Sequence, residues 1–239
     1  MNIKQPSFFL IVGMHRSGTS CLTGSLERCG IFLGNVQRRN KHNKKGNFEL
    51  KAIYEIHDQI LNLNNSSWHQ PPQKNIILQT YHEQKLEVFI EELKKKNPTG
   101  LKDPRTLLLL DEWKRVLNKD FQLIGSFRHP MAVAQSLEKR NGFSIEKGLQ
   151  LWYNYNQVMI EEHKKQPFPI IHYDLSNKKI YVDKIITLAN LFGLKPQKRK
   201  LNWFVSEKLE HHQTYDYELP KHCKKAYDYL LKHSFKSIE

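Results

Sequence analysis

The chain has 239 residues, 39% of them hydrophobic and 26% charged, with 38 Lys and Arg against 24 Asp and Glu, a formal net charge of +14. That length and mix suit one α/β domain over 1–239. No apolar run approaches the roughly 20 residues a bilayer span needs. The start, MNIKQPSFFLIVG, carries no small-residue cleavage site, so the cytoplasm is the expected location.

The first element is FFLIV at 8–12, a short β-branched and aromatic run that reads as a buried strand. It enters GMHRSGTS, a glycine-bearing turn that opens a helix over 18–29. NVQRRNKHNKKGN at 35–47 reads as an exposed loop, and a helix follows over 50–62. NNSSWHQPPQ at 64–73 is a second polar interruption, and both are places for an acceptor-binding lid. IIL at 76–78 is expected to be the second strand, ahead of a helix over 80–96. Then come a helix over 105–118, the strand FQLIGSF at 121–127, and helices over 130–140 and 145–164. PIIHY at 169–173 is the fourth strand, and a helix over 178–192 follows it. The tail beyond 195 is basic and polar with scattered aromatics, expected to cover one end of the sheet. Gly100, Gly142, Gly193 and several prolines punctuate these elements. Strands alternating with helices imply an α/β, three-layer, P-loop-like fold with a central parallel sheet flanked by helices. Ligands of such sheets bind at the carboxyl ends of the strands.

Three cysteines (Cys21, Cys29, Cys223) have no metal spacing; Cys21 and Cys29, in or near the first helix, read as buried free thiols, and twelve histidines form no H-E-x-x-H arrangement. No metal site is expected. The positive excess draws anions, whether nucleic acid, membrane surface, glycan or charged cofactor. Runs such as EELKKK at 91–96 also read as solvated helix faces, so charge alone decides nothing.

The loop after the first strand departs from Walker A, G-x-x-x-x-G-K-[ST], in one place. Gly13, Gly18 and Ser20 fall in register, but Thr19 stands where the phosphate-gripping lysine belongs. Backbone amides of such a turn, and of the helix it opens, form an anion nest to which Ser17, Thr19 and Ser20 add hydroxyls. Arg16 adds a fixed guanidinium with five donors, suited to a doubly substituted anion whose bridging oxygen is stabilised as it leaves. A second piece lies in FQLIGSFRHPMAVAQSL at 121–137. Arg128 ends a strand, Pro130 is placed to start a helix, and Ser136 falls about two turns into it. The pair could hold one more phosphate, or be a surface arginine and an ordinary helix serine.

Together, R-S-G-T after a first strand and R-x-P with a serine eight residues after its arginine resemble the PAPS-dependent sulfotransferases. PAPS is 3′-phosphoadenosine 5′-phosphosulfate. The resemblance covers roughly 8–205, and K-D-P-R at 102–105 and H-Y-D-L at 172–175 extend it. It is nearer to the bacterial, glycan and tyrosyl-protein branches, which carry arginine in the loop, than to the cytosolic small-molecule enzymes, which carry lysine. A phosphate–sulfate anhydride needs neither the Walker lysine nor Mg²⁺, and its 3′-phosphate explains a second basic site.

The resemblance implies that Arg16, Ser17, Gly18, Thr19 and Ser20 hold the 5′-phosphosulfate, while Arg128 and Ser136 hold the 3′-phosphate. It also implies that Tyr173 contacts the adenine, although a core tyrosine is the competing reading. The stacking tryptophan of the small-molecule branch is replaced by Cys21, so stacking must come from elsewhere. Lys102 is expected at the sulfuryl group, or else in a local ion-pair network with Asp103 and Arg105. Glu49, in G-N-F-E at 46–49, resembles the glutamate of K-G-x-x-E that takes the hydroxyl proton. The alternative is that it favours the start of the 50–62 helix. His57 and His69 are weaker bases, and Asp174 is read as structural rather than as a Walker B residue. The expected activity is metal-independent transfer of a sulfuryl group from PAPS to a hydroxyl of a carbohydrate or glycosylated small molecule. A P-loop kinase or NTPase with a degenerate loop, and an inactive polyanion-binding module, are the alternatives. No specific nucleic-acid partner is expected, because no motif beyond charge supports one.

Overall fold

A computed structural model describes residues 6–38, 46–73, 76–118, 120–205 and 217–236. Strand β1, Phe8–Val12, is buried along its whole length and lies second in a four-stranded parallel sheet of order β2–β1–β3–β4. Its neighbours are β2, Thr99–Lys102, on one side and β3, Gln122–Phe127, on the other; β4, Ile170–His172, pairs with β3. Ile11 stands opposite both Lys102 and Ile124, and Phe127 opposite His172, so all four strands point their carboxyl ends the same way. Helices flank the sheet, as the alternation of elements requires.

The second strand is not where IIL at 76–78 placed it. Ile77 is exposed, and its backbone is satisfied by one side chain. Asn64 donates from Nδ2 to the Ile77 carbonyl (3.0 Å) and accepts at Oδ1 from the Ile77 amide (2.7 Å). With both polar groups paired, the segment has no need of a sheet. The true β2, T-G-L-K, carries a single large apolar residue and no apolar run. Glycine suits the close packing there, because a Cβ at 100 would lie 2.8 Å from the Ile31 side chain, which would have to shift.

In chain order the helices are α1 (Thr19–Glu27), α2 (Lys51–Leu63), α3 (Thr80–Lys94), α4 (Leu110–Leu117), α5 (Pro130–Asn141), α6 (Ile145–Lys165), α7 (Lys178–Leu191), α8 (Lys198–Phe204) and α9 (Lys221–Lys232). The helix expected over 105–118 is split: Pro104–Leu109 is a 3-10 segment, capped by Asp103, and α4 follows it. The tail covers one edge of the sheet. Helix α9 packs on α6 and β4, and the Phe235 amide donates to the Ile170 carbonyl (2.8 Å). That contact occupies a strand edge which would otherwise invite pairing with another chain. Residues 206–216 of the tail and most of the 35–47 loop (39–45) lie outside the described residues.

The core runs from β1 through Leu22 and Leu26 of α1, Trp113 of α4, Leu137 of α5 and Trp152 of α6 to Leu230 of α9. Cys21, expected to be buried, is only half-buried, whereas Cys29 and Cys223 are buried, and burial pushes their thiols up to about 12 and about 11, so neither of those two is a thiolate at neutral pH. Among the described residues no helix is long and apolar enough to cross a membrane.

One half-buried group makes the fold acid-sensitive. His172 stacks on Phe127 with ring centroids 4.8 Å apart, and burial, opposed by Asp174, pushes its imidazole down to about 4. An unfolded chain titrates this group near 6.5, so between those values the unfolded state binds more protons. Its contribution is therefore intact above about pH 6.5 and falls as the solution is acidified, by about 3 kcal/mol at pH 4. Urea denaturation of wild type and His172→Gln across pH 7 to 4 should show the gap between them closing on the acid side.

Candidate active site

All four strands end at one place. The loop Gly13–Ser20 leaves β1, Lys102 is the last residue of β2, Arg128 follows β3, and Tyr173 follows β4. A parallel sheet gathers ligand-binding groups in this way. The loop's shape depends on its glycines. Gly13 has φ +151°, and a Cβ there would sit 2.4 Å from the Ser126 carbonyl oxygen; Gly18 has φ +79°, and a Cβ would strike the Tyr173 ring at 2.1 Å. Arg16 is also left-handed, at φ 67°, a conformation that costs a non-glycine residue free energy and marks functional turns.

No side chain caps the N-terminus of α1. Within the loop the Ser17 amide donates to the Met14 carbonyl (3.3 Å). The amides of Gly18, Thr19 and Ser20 have no backbone acceptor among the described residues, which suits them to donate to an anion. The hydroxyls are less open than the backbone. Ser17 and Thr19 are buried, and Ser126 Oγ donates to the Ser17 carbonyl (2.7 Å). Ser20 Oγ donates to the Asn47 carbonyl (3.2 Å).

Arg16 and the R-x-P motif meet. Arg16 Nε donates to Ser136 Oγ at 2.7 Å, across 120 residues of sequence. That hydroxyl accepts from the guanidinium and keeps its own proton to donate onward. Arg128 lies near enough that, after burial, its charge is the next cause lowering the Arg16 guanidinium below its ordinary value. The Arg128 guanidinium stands 5.5 Å over the Tyr173 ring, and its carbonyl accepts from Trp152 Nε1 (3.0 Å). Tyr173 itself is buried against Gly18 and edge-on to Tyr181. Two cationic groups thus lie close enough to repel each other, partly out of water, at the carboxyl end of the sheet.

Glu49 and Lys102 also come together. The Gln37 amide donates to the Glu49 carbonyl (2.9 Å) and the Phe48 amide to the Gln37 carbonyl (3.0 Å), which ties the base of the polar loop. Glu49 Oε1 then accepts from Lys102 Nζ at 2.6 Å, and both side chains are buried. Lys102 Nζ also donates to the Asn47 carbonyl (3.0 Å) and reaches Ser20 Oγ (3.4 Å), so the carboxylate stands beside the start of α1. Its partner is the lysine, not the amides of α2.

Asp103 and Arg105 form a separate network. Arg105 pairs with Asp58 (2.6 Å) and Asp103 (3.2 Å), and Asp103 Oδ1 caps the 3-10 segment at the Arg105 amide (2.7 Å). Burial raises the Asp103 carboxyl, but His57, Arg105 and His15 outweigh it and hold the group well below the usual carboxylate range. His57 is fully buried. Trp113 Nε1 donates to its Nε2 (2.9 Å), which leaves the proton on Nδ1, 3.5 Å from Asp103. The imidazole serves this network and is out of an acceptor's reach. His69 is exposed and leans on Trp68 and Phe143.

Three residues that sequence reasoning passed over stand at the site. His15, inside the loop, packs on Trp68 with ring centroids 4.6 Å apart, and burial followed by Arg105 and Arg140 lowers it well below its ordinary value. Trp68 is fixed by its carbonyl, which accepts from Tyr155 Oη (2.8 Å). Arg140, one turn beyond Ser136 on α5, holds its guanidinium 5.2 Å over the Trp68 ring. The spacing Ser136–Arg140 puts both on one helix face, the one sequence signal that could have found it.

A cavity of about 720 Å³ lies elsewhere, between Pro71–Pro72, Leu107–Glu112 and α6. It contains none of these residues. Its rim carries Asp111, Glu112, Glu161 and Glu162 against Lys165, a balance that disfavours a polyanion. The sequence matches no family model and no curated protein. The architecture does find a counterpart: a sulfotransferase domain from the Synechococcus PCC 7002 olefin synthase superposes with a TM-score of 0.60 over 97% of both chains, at 15% identity. The fold is that of a sulfotransferase domain. In this sulfotransferase fold the loop after β1 and the arginine after β3 both stand at the carboxyl end of the sheet.

Proposed function

We propose that the protein transfers a sulfuryl group from PAPS to an acceptor hydroxyl. The observation that carries the reading is the 2.7 Å contact between Arg16 and Ser136, which joins the two motifs into one anion-binding edge with Arg128 beside it. ATP offers no 3′-phosphate to such an edge, and the loop has no lysine for a β/γ-phosphate. Arg16 and the amides of Gly18, Thr19 and Ser20 bind the 5′-phosphosulfate, with the Ser17 carbonyl, held by Ser126, and the Ser20 hydroxyl, held to Asn47, supporting the loop. Arg128 and the Ser136 hydroxyl bind the 3′-phosphate. Tyr173, buried under Gly18 and Arg128, presents its remaining edge to the nucleoside.

PAPS supplies a sulfur–oxygen bond to a phosphate that leaves with the electron pair as the acceptor oxygen bonds to sulfur. The chain's residues position the partners and balance charge, which is where the catalysis of such loose transition states resides. Arg16 neutralises charge growing on the leaving phosphate. Glu49 takes the hydroxyl proton on Oε2 while Lys102 holds Oε1, and the Lys102 ammonium lies close to the group in transit. The acceptor is a hydroxyl of a carbohydrate or glycosylated small molecule, and the setting is the cytoplasm.

Calorimetry tests the donor. Adenosine 3′,5′-bisphosphate should bind the full chain without Mg²⁺, at least tenfold tighter than ADP. Radiolabelled sulfate should then pass from PAPS to members of a saccharide panel. Equal affinity for ADP, or Mg²⁺-dependent ATP hydrolysis, would return the protein to the kinase and NTPase class.

A further inference from the structure

Helix α8 has two unlike faces. Leu201 and Phe204 turn inward, and Phe204 is wedged against α1 and Phe48: a Cβ on Gly24 would meet its ring at 2.3 Å, and the Phe48 and Phe204 ring centroids lie 5.9 Å apart. The helix is clamped to the domain by that side. On the other side Trp203 is 80% exposed, more than any other large apolar side chain among the described residues. Arg199 and Lys200, one turn earlier, share its face. Lys198 opens the helix, Lys195 lies in the turn leading to it, and all four cations are exposed. None of them has an ion pair among the described residues, and the stretch 184–205 contains no Asp or Glu. Helix α7, which packs on α8, ends in Leu191, itself 44% exposed.

An indole left in water beside unmatched cations forgoes both apolar burial and charge pairing. An anionic lipid bilayer offers both at once, since its phosphates attract the cations while the boundary between headgroups and acyl chains takes the ring. We propose that α8 docks the protein on an anionic lipid surface, with Trp203 set into the headgroup layer and Lys195, Lys198, Arg199 and Lys200 lying over it. The inference is independent of the sulfotransfer reading, because it uses none of the residues at the carboxyl end of the sheet. A nucleic acid or an acidic glycan also draws the cations. Neither rewards the aliphatic Leu191 at the start of the same turn, which gains free energy only by leaving water. The lipid surface accounts for every member of the patch.

The full-length protein is mixed with vesicles of phosphatidylcholine, alone or with about 30% phosphatidylserine. Binding is read by co-sedimentation, and insertion by quenching of tryptophan fluorescence with lipids brominated on their acyl chains. Wild type should bind the anionic vesicles and not the neutral ones, be quenched on binding, and be released by high salt, which screens the attraction. Trp203→Ser should abolish the quenching, since Trp113 and Trp152 are buried, and weaken vesicle binding roughly tenfold. The triple variant Lys198→Gln, Arg199→Gln, Lys200→Gln should weaken it more than tenfold, each cation near such a surface being worth about fivefold. Neither variant should lower the unfolding temperature, because the altered side chains are exposed. Wild type that ignores anionic vesicles overturns the docking, and so does vesicle binding that survives the triple substitution, which would put the contact elsewhere on the basic surface. Vesicle binding without quenching, or heparin or single-stranded DNA bound as tightly as the vesicles, would mean that the cations act alone on any polyanion, and overturns the lipid surface.

Discussion

Arg16→Ala should lower the affinity for adenosine 3′,5′-bisphosphate by roughly 10- to 100-fold, as loss of one or two hydrogen bonds from a charged donor predicts. The same variant should be no less stable than wild type without ligand. Arg16 is partly buried, and its guanidinium sits beside Arg128 and Arg140, both of which it repels. Among the described residues its side-chain hydrogen bond goes to Ser136, and its backbone strain at φ 67° is shared by an alanine. Removing it loses one contact and relieves two repulsions. Thermal unfolding should show the two effects apart: a similar or higher transition for the apoprotein, and a much smaller rise on adding nucleotide, since that rise follows RT ln(1 + [L]/Kd). Arg16→Lys should resemble alanine in affinity more than it resembles wild type. A lysine cannot donate to Ser136 and span an anion with a planar fork at once. A variant destabilised without ligand yet unchanged in affinity would make Arg16 a structural strut and remove the basis of the proposed function.

Legibility of the site divides along the range of the interactions. The loop was readable because strand, glycines and helix start are adjacent in sequence, and each glycine answers a local demand, such as the Ser126 carbonyl over Gly13. Arg128 and Ser136 were readable as a spacing, but nothing local says that Ser136 turns toward Arg16. Glu49 and Lys102 were singled out separately, and their pairing across 53 residues carries no pattern. Arg140, in the last turn of α5, looks like any cation favoured at a helix C-terminus. The missed strand has a similar cause. T-G-L-K has little β propensity, and it is a strand because β1 offers it a partner and glycine lets it pack close to Ile31. IIL had the composition of a strand, but Asn64 had already taken its hydrogen bonds. Tertiary pairing overrode propensity in both places.

Glu49→Gln should reduce turnover by about 10²–10⁴ while leaving bisphosphate affinity within about twofold, the pattern of a lost general base. Glutamine is the informative substitution because of Lys102. Alanine would leave a buried ammonium facing empty space, and breaking a buried pair from one side costs about 3–5 kcal/mol. A glutamine oxygen still accepts from Nζ, so the loop stays in place and the chemistry can be read. The remaining stability loss can be separated from catalysis by a double-mutant cycle with Lys102→Met, which removes the unpaired charge. Stability should largely return in the double variant, whereas turnover should not. If turnover instead recovers with stability, the carboxylate works by neutralising Lys102 at the base of the polar loop, and the proton goes elsewhere. His57 could not then replace it, since its Nε2 is held by Trp113 and its ring is sealed in the core. The exposed His69, at the edge of the aromatic cluster that carries Trp68, would become the group to test.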